Sequence, residues 1–323
     1  MIVCRRSFVV VYMLAMMISC SKIPIESFDI DKFVELTNSV EGETTSFLFF
    51  TDPHINENNS TFEQYLRSLE YNYNRVPLEF CLCGGDWLNN NDTNQQAYEK
   101  LRFIADYTYQ VFGDNYYTIL GNHDTNYQGR LNDEAELHTG LLSHEDIVDL
   151  LFERQGNSFY SFYSKNARFL VLDTGIDWNH TMDDHRWGQA HWFANELQSN
   201  ESQHLVVAMH IYTNDIDGTK SPELFSKYIM EIAEAHNNRK VISLNGVEYD
   251  FADAYGKVAC VLCGHCHEDF IATSSCSIPI VGTTHLKDGN IPTFDMCVFN
   301  WEQNVLNLLR VGSGNDRIIH LAQ

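Results

Sequence analysis

Five short apolar runs in this chain end in polar residues, and this repeated pattern constrains the fold more than any other feature. The runs are SFLFF, LEFCLC, NYYTIL, HLVVAM and KVACVLC. Short runs of β-branched, aromatic and apolar residues predict buried strands. Segments with helical periodicity lie between them, at residues 60–74, 95–112 and 221–237. Strand, polar loop and helix in repetition predict a layered α/β fold.

The polar residues that follow the runs are all nitrogen or oxygen ligand types. In an α/β fold the loops at the carboxyl ends of the strands converge on one edge of the sheet, where ligands bind. Imidazole together with carboxylate suits Zn, Fe, Mn or Ni, and a carboxylate between two ions can bridge them. The sequence therefore predicts a metal centre built from Asp52, His54, Asp86, Asn122, His210, His265 and His267.

These residues fall into five ordered blocks: DPH at 52–54, GGD at 84–86, GNHD at 121–124, His210 after a strand, and GHCH at 264–267. In this order the blocks resemble the calcineurin-like metallophosphoesterases, over roughly residues 44 to 285. The resemblance implies a two-sheet α/β sandwich flanked by helices, in four layers. It also implies a hydrolase of phosphate esters, in which a hydroxide that bridges two metal ions attacks phosphorus in line.

The resemblance assigns a role to each block residue. One ion is held by Asp52, His54 and His267, the second by Asn122, His210 and His265, and Asp86 bridges the two. His123 contacts the phosphate and protonates the leaving oxygen, and Asp124 orients its ring. Asn122 and His123 are therefore expected substrate contacts. Arg130, in the loop after GNHD, is a further candidate because arginine offers a planar pair of donors to a phosphate.

Two divalent transition-metal ions are the implied cofactors. In the purple acid phosphatase branch of the family, a Tyr three residues after the bridging Asp binds ferric iron. Asn89 occupies that position here. An Fe(III)–tyrosinate enzyme is therefore disfavoured, and Mn, Zn or Fe(II) are the candidate metals.

The segment CVLCGHCHEDF also contains C-x-x-C-H, the attachment pattern for a c-type haem. Two observations oppose that interpretation: Cys263 ends an apolar strand rather than opening a helix, and a haem leaves the other four blocks unexplained. Cys260, Cys263 and Cys266 also match the start of an iron–sulfur cluster motif, but the position of its fourth cysteine is occupied by Phe270. No haem is therefore expected.

The charge balance narrows the choice of partner. The chain has 44 acidic and 21 basic residues, a formal net charge of −23. Nucleic-acid backbones are bound chiefly through Lys and Arg, so polymeric nucleic acid is not expected as a partner. A small phosphorylated substrate is expected instead. Monoester or diester preference and oligomeric state stay open, and the alternative function is a non-catalytic surface protein that binds a phosphorylated ligand.

Residues 1–19 have the layout of an export signal. Arg5 and Arg6 precede an apolar stretch from Phe8 to Ile18, which ends at Ser19-Cys20. This ending resembles a bacterial lipoprotein signal, in which the cysteine is lipidated, and a plain secretory signal is the alternative. The prediction is an exported protein, anchored by its N-terminal lipid in the periplasm or at the cell surface.

The rest of the chain is interpreted as a tether at 20–43 and a single domain at 44–323 that closes with a β-hairpin. Seven cysteines remain after the signal and Cys20, an odd number at irregular spacing, so no disulfide framework is expected. The polar stretch from Thr125 to about Asn157 is predicted to be a long loop with a short helix over the site.

The histidines outside the blocks are interpreted as surface or core residues rather than as metal ligands. They are His138, His144, His180, His185, His191, His204, His236 and His320. His285, in GTTH after an apolar run, is expected to lie near the site and to be structural.

Overall fold

The apolar runs are strands in the computed structural model of the chain, which describes residues 27–38, 44–55, 59–90, 92–126, 142–175, 182–213, 224–287 and 291–323. The strands in these ranges are β1 (Thr44–Phe50), β2 (Phe80–Cys83), β3 (Tyr116–Thr118), β4 (Tyr160–Ser164), β5 (Ala167–Leu172), β6 (His204–Met209), β7 (Val241–Leu244), β8 (Val247–Asp250), β9 (Lys257–Cys263), β10 (Phe270–Thr273), β11 (Pro279–Gly282), β12 (Phe294–Asn300), β13 (Val305–Val311) and β14 (Arg317–His320). The helices are α1 (Ile30–Asn38), α2 (Asn59–Tyr73), α3 (Asn94–Phe112), α4 (His144–Leu151), α5 (Asp184–Gln198) and α6 (Leu224–Asn237).

The strands form two mixed six-stranded sheets and a separate two-stranded ribbon of β7 and β8. The first sheet has the order β14-β13-β12-β1-β2-β3, in which β1, β2 and β3 are parallel and the remaining pairs antiparallel. The second has the order β10-β11-β9-β6-β5-β4, in which the four central strands are parallel. The parallel strands of each sheet therefore present their carboxyl ends at a common edge.

Aromatic rings fill the space between the two sheets. Phe47 of β1 and Phe80 of β2 both pack edge-on against Phe169 of β5, with ring centroids 5.8 and 4.9 Å apart. All three side chains are buried. Edge-to-face aromatic pairs contribute about 0.5–1.5 kcal/mol beyond the burial of their area. The sheets are thus held face to face by ring contacts as well as by the exclusion of water.

The second sheet divides its side chains between two cores. Phe169 of β5 faces the first sheet, whereas the next residue, Leu170, packs in a cluster with Phe193 of α5 and Ile229 of α6. This alternation is the period of two that a strand imposes. Helices α2 and α3 contribute leucines to the cluster of the first sheet. The predicted two-sheet α/β sandwich flanked by helices is confirmed.

The C-terminal hairpin is present as β12 and β13, and β14 adds a further strand that the sequence pattern did not indicate. The short helix predicted within 125–157 is α4, and residues 127–141 lie outside the described ranges. The seven cysteines after Cys20 are free, and five of them are buried. The export signal at 1–19, Cys20 and Arg130 lie outside the described residues. Among the helices that the structure describes, none is long and apolar enough to cross a membrane.

Candidate metal centre

The ends of five strands meet at one edge of the molecule. β1, β2 and β3 belong to the first sheet, and β6 and β9 to the second. The backbone amides of Asp52 and His54, after β1, donate to the carbonyls of Gly85 and Asp86, after β2, each at 3.0 Å. The amide of His265, after β9, donates to Asp52 Oδ2 at 3.0 Å. The blocks that are far apart in the sequence are therefore joined directly.

Five of the seven candidate ligands have a left-handed backbone conformation. Their φ angles lie between 43° and 70°, and the residues are Asp52, His54, Asp86, His265 and His267. A non-glycine residue in this region costs about 1–3 kcal/mol, and such strain persists only where the surrounding structure determines it. Strain concentrated at a set of strand ends is typical of a functional site.

Two glycines of the blocks allow the loops to approach each other this closely. A Cβ on Gly264 would collide with the Thr51 hydroxyl and would lie 2.7 Å from Asp52 Oδ2. Gly85 has a φ of +97°, and a Cβ there would lie 2.9 Å from His210 Nδ1. These glycines are required by the packing of the loops around the site.

The first group of ligand atoms comprises Asp52, His54, Asp86 and His267, whose ligand atoms lie within 4.8 Å of one another. His267 Nε2 is 3.1 Å from Asp52 Oδ1 and 2.9 Å from His54 Nε2. His54 Nε2 is 3.8 Å from Asp86 Oδ2. Two imidazoles and two carboxylates thus converge on one small volume.

The second group comprises Asp86, His210 and His265, again within 4.8 Å. His210 Nε2 lies 3.2 Å from Asp86 Oδ2 and 3.1 Å from Asn122 Oδ1. Asp86 belongs to both groups, and its Oδ2 atom faces the histidines of each. The arrangement is that of a carboxylate placed between two neighbouring cation sites.

The hydrogen bonds of Asp52 and Asp86 indicate whether cations fit between these side chains. Asp52 Oδ2 accepts from the Thr51 hydroxyl at 2.6 Å, and Asp86 Oδ1 accepts from the amide of His123 at 2.7 Å. The opposite oxygens, Asp52 Oδ1 and Asp86 Oδ2, are buried and make no hydrogen bond of good geometry with the described residues. Buried carboxylate oxygens without a donor are costly unless an ion compensates them. A nitrogen and oxygen donor set of this kind fits borderline divalent ions.

Backbone carbonyls set the tautomers of two histidines. His54 Nδ1 donates to Leu88 O at 2.9 Å, and His210 Nδ1 donates to Gly84 O at 2.6 Å. With Nδ1 bound to a carbonyl, the Nε2 atom of each ring faces the carboxylates and is the atom left to bind a metal once it carries no proton.

The pKa values differ between the histidines of the pocket. Burial lowers the pKa of His54 and His265 to about 4, so both rings are neutral, the form that binds metal. Burial also disfavours charge on His210, but Asp86 and Asp52 outweigh it and raise the pKa of His210 to about 10. A proton on His210 and a metal ion would compensate the same two carboxylates.

His123 and Asp124 do not form the pair that the sequence predicts. The Asp124 carboxylate accepts four backbone amides at 2.7–3.3 Å, those of Asp86, Trp87, Leu88 and Gly121. His123 Nδ1 makes no hydrogen bond with any described residue. The expectation that Asp124 orients the His123 ring is therefore wrong. Asp124 instead fixes the loop that carries Asp86.

Two sides of the centre are open to solvent. The side chains of His123 and His267 are 29% and 41% exposed, whereas those of His54 and His210 are 3% and 0% exposed. His123 Nε2 lies 3.8 Å from Asp86 Oδ2, at the open side. The centre is therefore exposed at His123 and His267 and enclosed at His54 and His210.

Three residues outside the five blocks also lie near the centre. Thr51 holds Asp52 through its hydroxyl, Lys287 Nζ donates to the carbonyl of His54 at 3.2 Å, and the ring of His285 stacks on His267 with centroids 4.9 Å apart. His285 thus lies where the sequence placed it. For Thr51, the available signal was its position directly before the first block.

Comparisons with known proteins bear on the family and the fold of this chain. The family model described as calcineurin-like phosphoesterase matches residues 45–269. A dimetal phosphatase from Danio rerio has a TM-score of 0.60 at 12% identity, over 86% of this chain and 99% of that chain. A purple acid phosphatase from yellow lupin (Lupinus luteus) seeds has a TM-score of 0.51 at 13% identity, over 87% of this chain and 54% of that chain. At such identities the two likenesses show a shared fold. No curated protein matches the sequence significantly.

Replacing Asp124 with asparagine tests its role in supporting the loop. In Asp124→Asn one oxygen becomes an NH2 group that faces two amide donors, and hydrogen bonds to a charged group contribute about 1.5–3 kcal/mol each. We expect the free energy of unfolding, measured in urea with a chelator present, to fall by about 3 kcal/mol or more. The control is Asp114→Asn, whose side chain is 87% exposed and should change stability little. An Asp124→Asn protein as stable as the wild type, with only its turnover reduced, would restore the ring-orienting role.

Proposed function

This chain belongs to the calcineurin-like phosphoesterase family and is a dinuclear metal phosphoesterase, and we propose that it hydrolyses a small phosphorylated molecule. The observation that carries the proposal is Asp86 Oδ2, which is buried, faces histidines of both ligand groups and makes no hydrogen bond of good geometry with the described residues. The net charge of −23 favours a small substrate over a polymeric nucleic acid.

The proposed ligand sets follow the two groups of side chains. Asp52, His54 and His267 would hold one ion, Asn122, His210 and His265 would hold the other, and Asp86, which belongs to both groups, would contribute to each. When bound, two such ions lower the pKa of water and neutralise the charge that develops on a phosphoryl group. Thr51 and the amide of His265 restrain Asp52 so that only one of its oxygens faces the centre. The metals proposed are Mn, Zn or Fe(II).

His123 is the proposed proton donor to the leaving oxygen. Its ring stands at the open side of the centre, and its amide is fixed by Asp86 Oδ1 at 2.7 Å. Burial lowers the pKa of His123. A lowered pKa makes the protonated ring a stronger acid but leaves a smaller fraction of it protonated at neutral pH, so a proton-donor role requires the rate to fall as the pH rises above the pKa of His123. Asn122 is proposed to contact the same phosphoryl group through its amide nitrogen, which is buried and has no hydrogen bond with the described residues.

The reaction is tested with the full chain loaded with Mn²⁺, on p-nitrophenyl phosphate and bis(p-nitrophenyl) phosphate. We expect hydrolysis of at least one ester, and the ratio of the two rates assigns a monoesterase or a diesterase. Two ions bound with neither ester hydrolysed would favour the alternative, a surface protein that binds a phosphorylated ligand without turning it over.

The role of His123 is tested by the dependence of the rate on the leaving group. General acid catalysis contributes roughly 10²–10⁴-fold, so His123→Ala should keep its metal content and lose about that factor in kcat. The loss should be larger on phenyl phosphate than on p-nitrophenyl phosphate, whose leaving oxygen needs a proton less. His320→Ala, on the exposed end of β14, is the control. Equal losses on both esters would mean that His123 contacts the phosphoryl oxygens and does not donate a proton.

The proposed location is outside the cytoplasm, with the chain anchored through lipidated Cys20. The support is the sequence alone: two arginines, an apolar stretch from Phe8 to Ile18, and Ser19 before the cysteine.

Lipidation is measured by detergent phase partition and intact mass after bacterial expression of the full chain. Wild-type protein should enter the detergent phase with a lipid adduct, and Cys20→Ser should lose both. Cys4→Ser, within the predicted signal, should behave as the wild type does. A wild-type protein without an adduct, cleaved elsewhere, would make the signal a plain secretory one.

A further inference from the structure

A second cluster of metal-binding side chains lies outside the dinuclear centre. It consists of His144 at the start of α4, Asp173 directly after β5, and His185 at the start of α5. Their ligand atoms lie within 4.8 Å of one another. His144 Nε2 is 3.9 Å and His185 Nε2 is 3.5 Å from the same atom, Asp173 Oδ2. None of these residues belongs to the five blocks.

The dinuclear centre provides a standard for these distances. There, Nε2-to-carboxylate distances are 3.1 Å for His267 and Asp52, 3.2 Å for His210 and Asp86, and 3.8 Å for His54 and Asp86. The corresponding distances in the second cluster are 3.5 and 3.9 Å, near the longest of these, with the same chemistry of imidazole and carboxylate. The three ligand atoms are thus close enough together to face a single cation.

The ligand atoms of the second cluster point inward. Asp173 is buried, with its side chain fully inaccessible, whereas the two histidines are partly exposed. His185 Nε2 is itself buried and makes no hydrogen bond of good geometry with the described residues. The Ser158 hydroxyl lies 2.7 Å from Asp173 Oδ2 and 3.0 Å from His144 Nε2, which adds an oxygen beside the three ligands.

The backbone around the cluster is fixed independently of any ion. The Gln189 side chain both accepts from the amide of Asp173 at 2.7 Å and donates to its carbonyl at 2.8 Å. Ser143 caps α4 and Asp183 caps α5, which sets the positions of the histidines that follow them. The ligands are therefore positioned before a cation arrives.

We propose that His144, Asp173 and His185 form a separate mononuclear site for a borderline divalent cation of the Zn²⁺ type. Two imidazoles and one carboxylate are the three-ligand set that leaves a tetrahedral Zn²⁺ one open position. The N-termini of α4 and α5 carry partial positive charge, which disfavours a cation at this position. The buried negative charge of Asp173 offsets this effect.

The site lies on the same sheet edge as the dinuclear centre but shares no ligand with it. Leu172 of β5 pairs with Met209 of β6, so Asp173 stands one strand from His210. A cation at this position would join the starts of α4 and α5 to the end of β5. Its role is to fix these elements beside the centre.

The site is tested by the Zn²⁺ content of the full chain after equilibration with excess Zn²⁺ at neutral pH and removal of free metal. The double variant His144→Gln/His185→Gln should bind one equivalent fewer than the wild type. His191→Gln is the matched control, because His191 lies on the same helix as His185 but contacts Tyr249. Equal Zn²⁺ content in the double variant and the wild type would overturn the proposal and leave the cluster a protonated ion pair.

A second measurement needs no substitution, in case the double variant folds poorly. Diethyl pyrocarbonate modifies accessible imidazoles, and mass spectrometry locates the adducts. In the wild-type chain, Zn²⁺ should protect His144 and His185 and leave the modification of His191 unchanged. Modification of His144 and His185 that is the same with and without Zn²⁺ would contradict the site even where the dinuclear centre is filled.

Discussion

Buried negative charge at one sheet edge is the constraint on which this structure depends. Asp52, Asp86 and Asp124 are all fully or almost fully buried within a few residues of the strand ends. Asp124 is satisfied by four backbone amides, whereas Asp52 and Asp86 each keep one buried oxygen that makes no hydrogen bond of good geometry with the described residues. One carboxylate therefore organises the loops, and the other two present charge that cations can compensate.

The C-terminal strands support the loop between β9 and β10, which carries His265 and His267. Arg310 on β13 pairs with Asp269 in that loop at 2.6 Å and with Asp295 on β12 at 3.0 Å. Asp269 in turn accepts from the amide of Thr284, whose hydroxyl donates to the carbonyl of His267 at 2.9 Å. Removing one partner of a buried ion pair typically costs about 3–5 kcal/mol. The β12–β13 hairpin of the first sheet thus also fixes the position of His267, a proposed ligand that follows a strand of the second sheet.

The histidines show what separates a ligand from an ordinary side chain. His54 and His210 have their Nδ1 protons bound to backbone carbonyls and their Nε2 atoms directed at carboxylates. His191 and His236 hydrogen-bond to groups outside any such cluster. His144 and His185 differ from these two, because both face one buried carboxylate. The number of histidines in the chain is therefore less informative than the group that each ring faces.

The sequence by itself determined the layered α/β fold and indicated the seven proposed ligands of the dinuclear centre. Each block follows an apolar strand run, and the carboxyl ends of parallel strands in one sheet share an edge, so Asp52 and Asp86, after the paired strands β1 and β2, had to lie close together. Only the packing of the two sheets brought His267, after a strand of the second sheet, to Asp52. The tertiary structure also decided where the Asp124 carboxylate turns and that His144, Asp173 and His185 come together. Asp124 is adjacent to His123 in the chain, but its carboxylate turns to the amides of another loop. The cluster joins two helix starts and a strand end that share no motif or periodicity, and only the packing of α4 and α5 against β5 sets the distances between them.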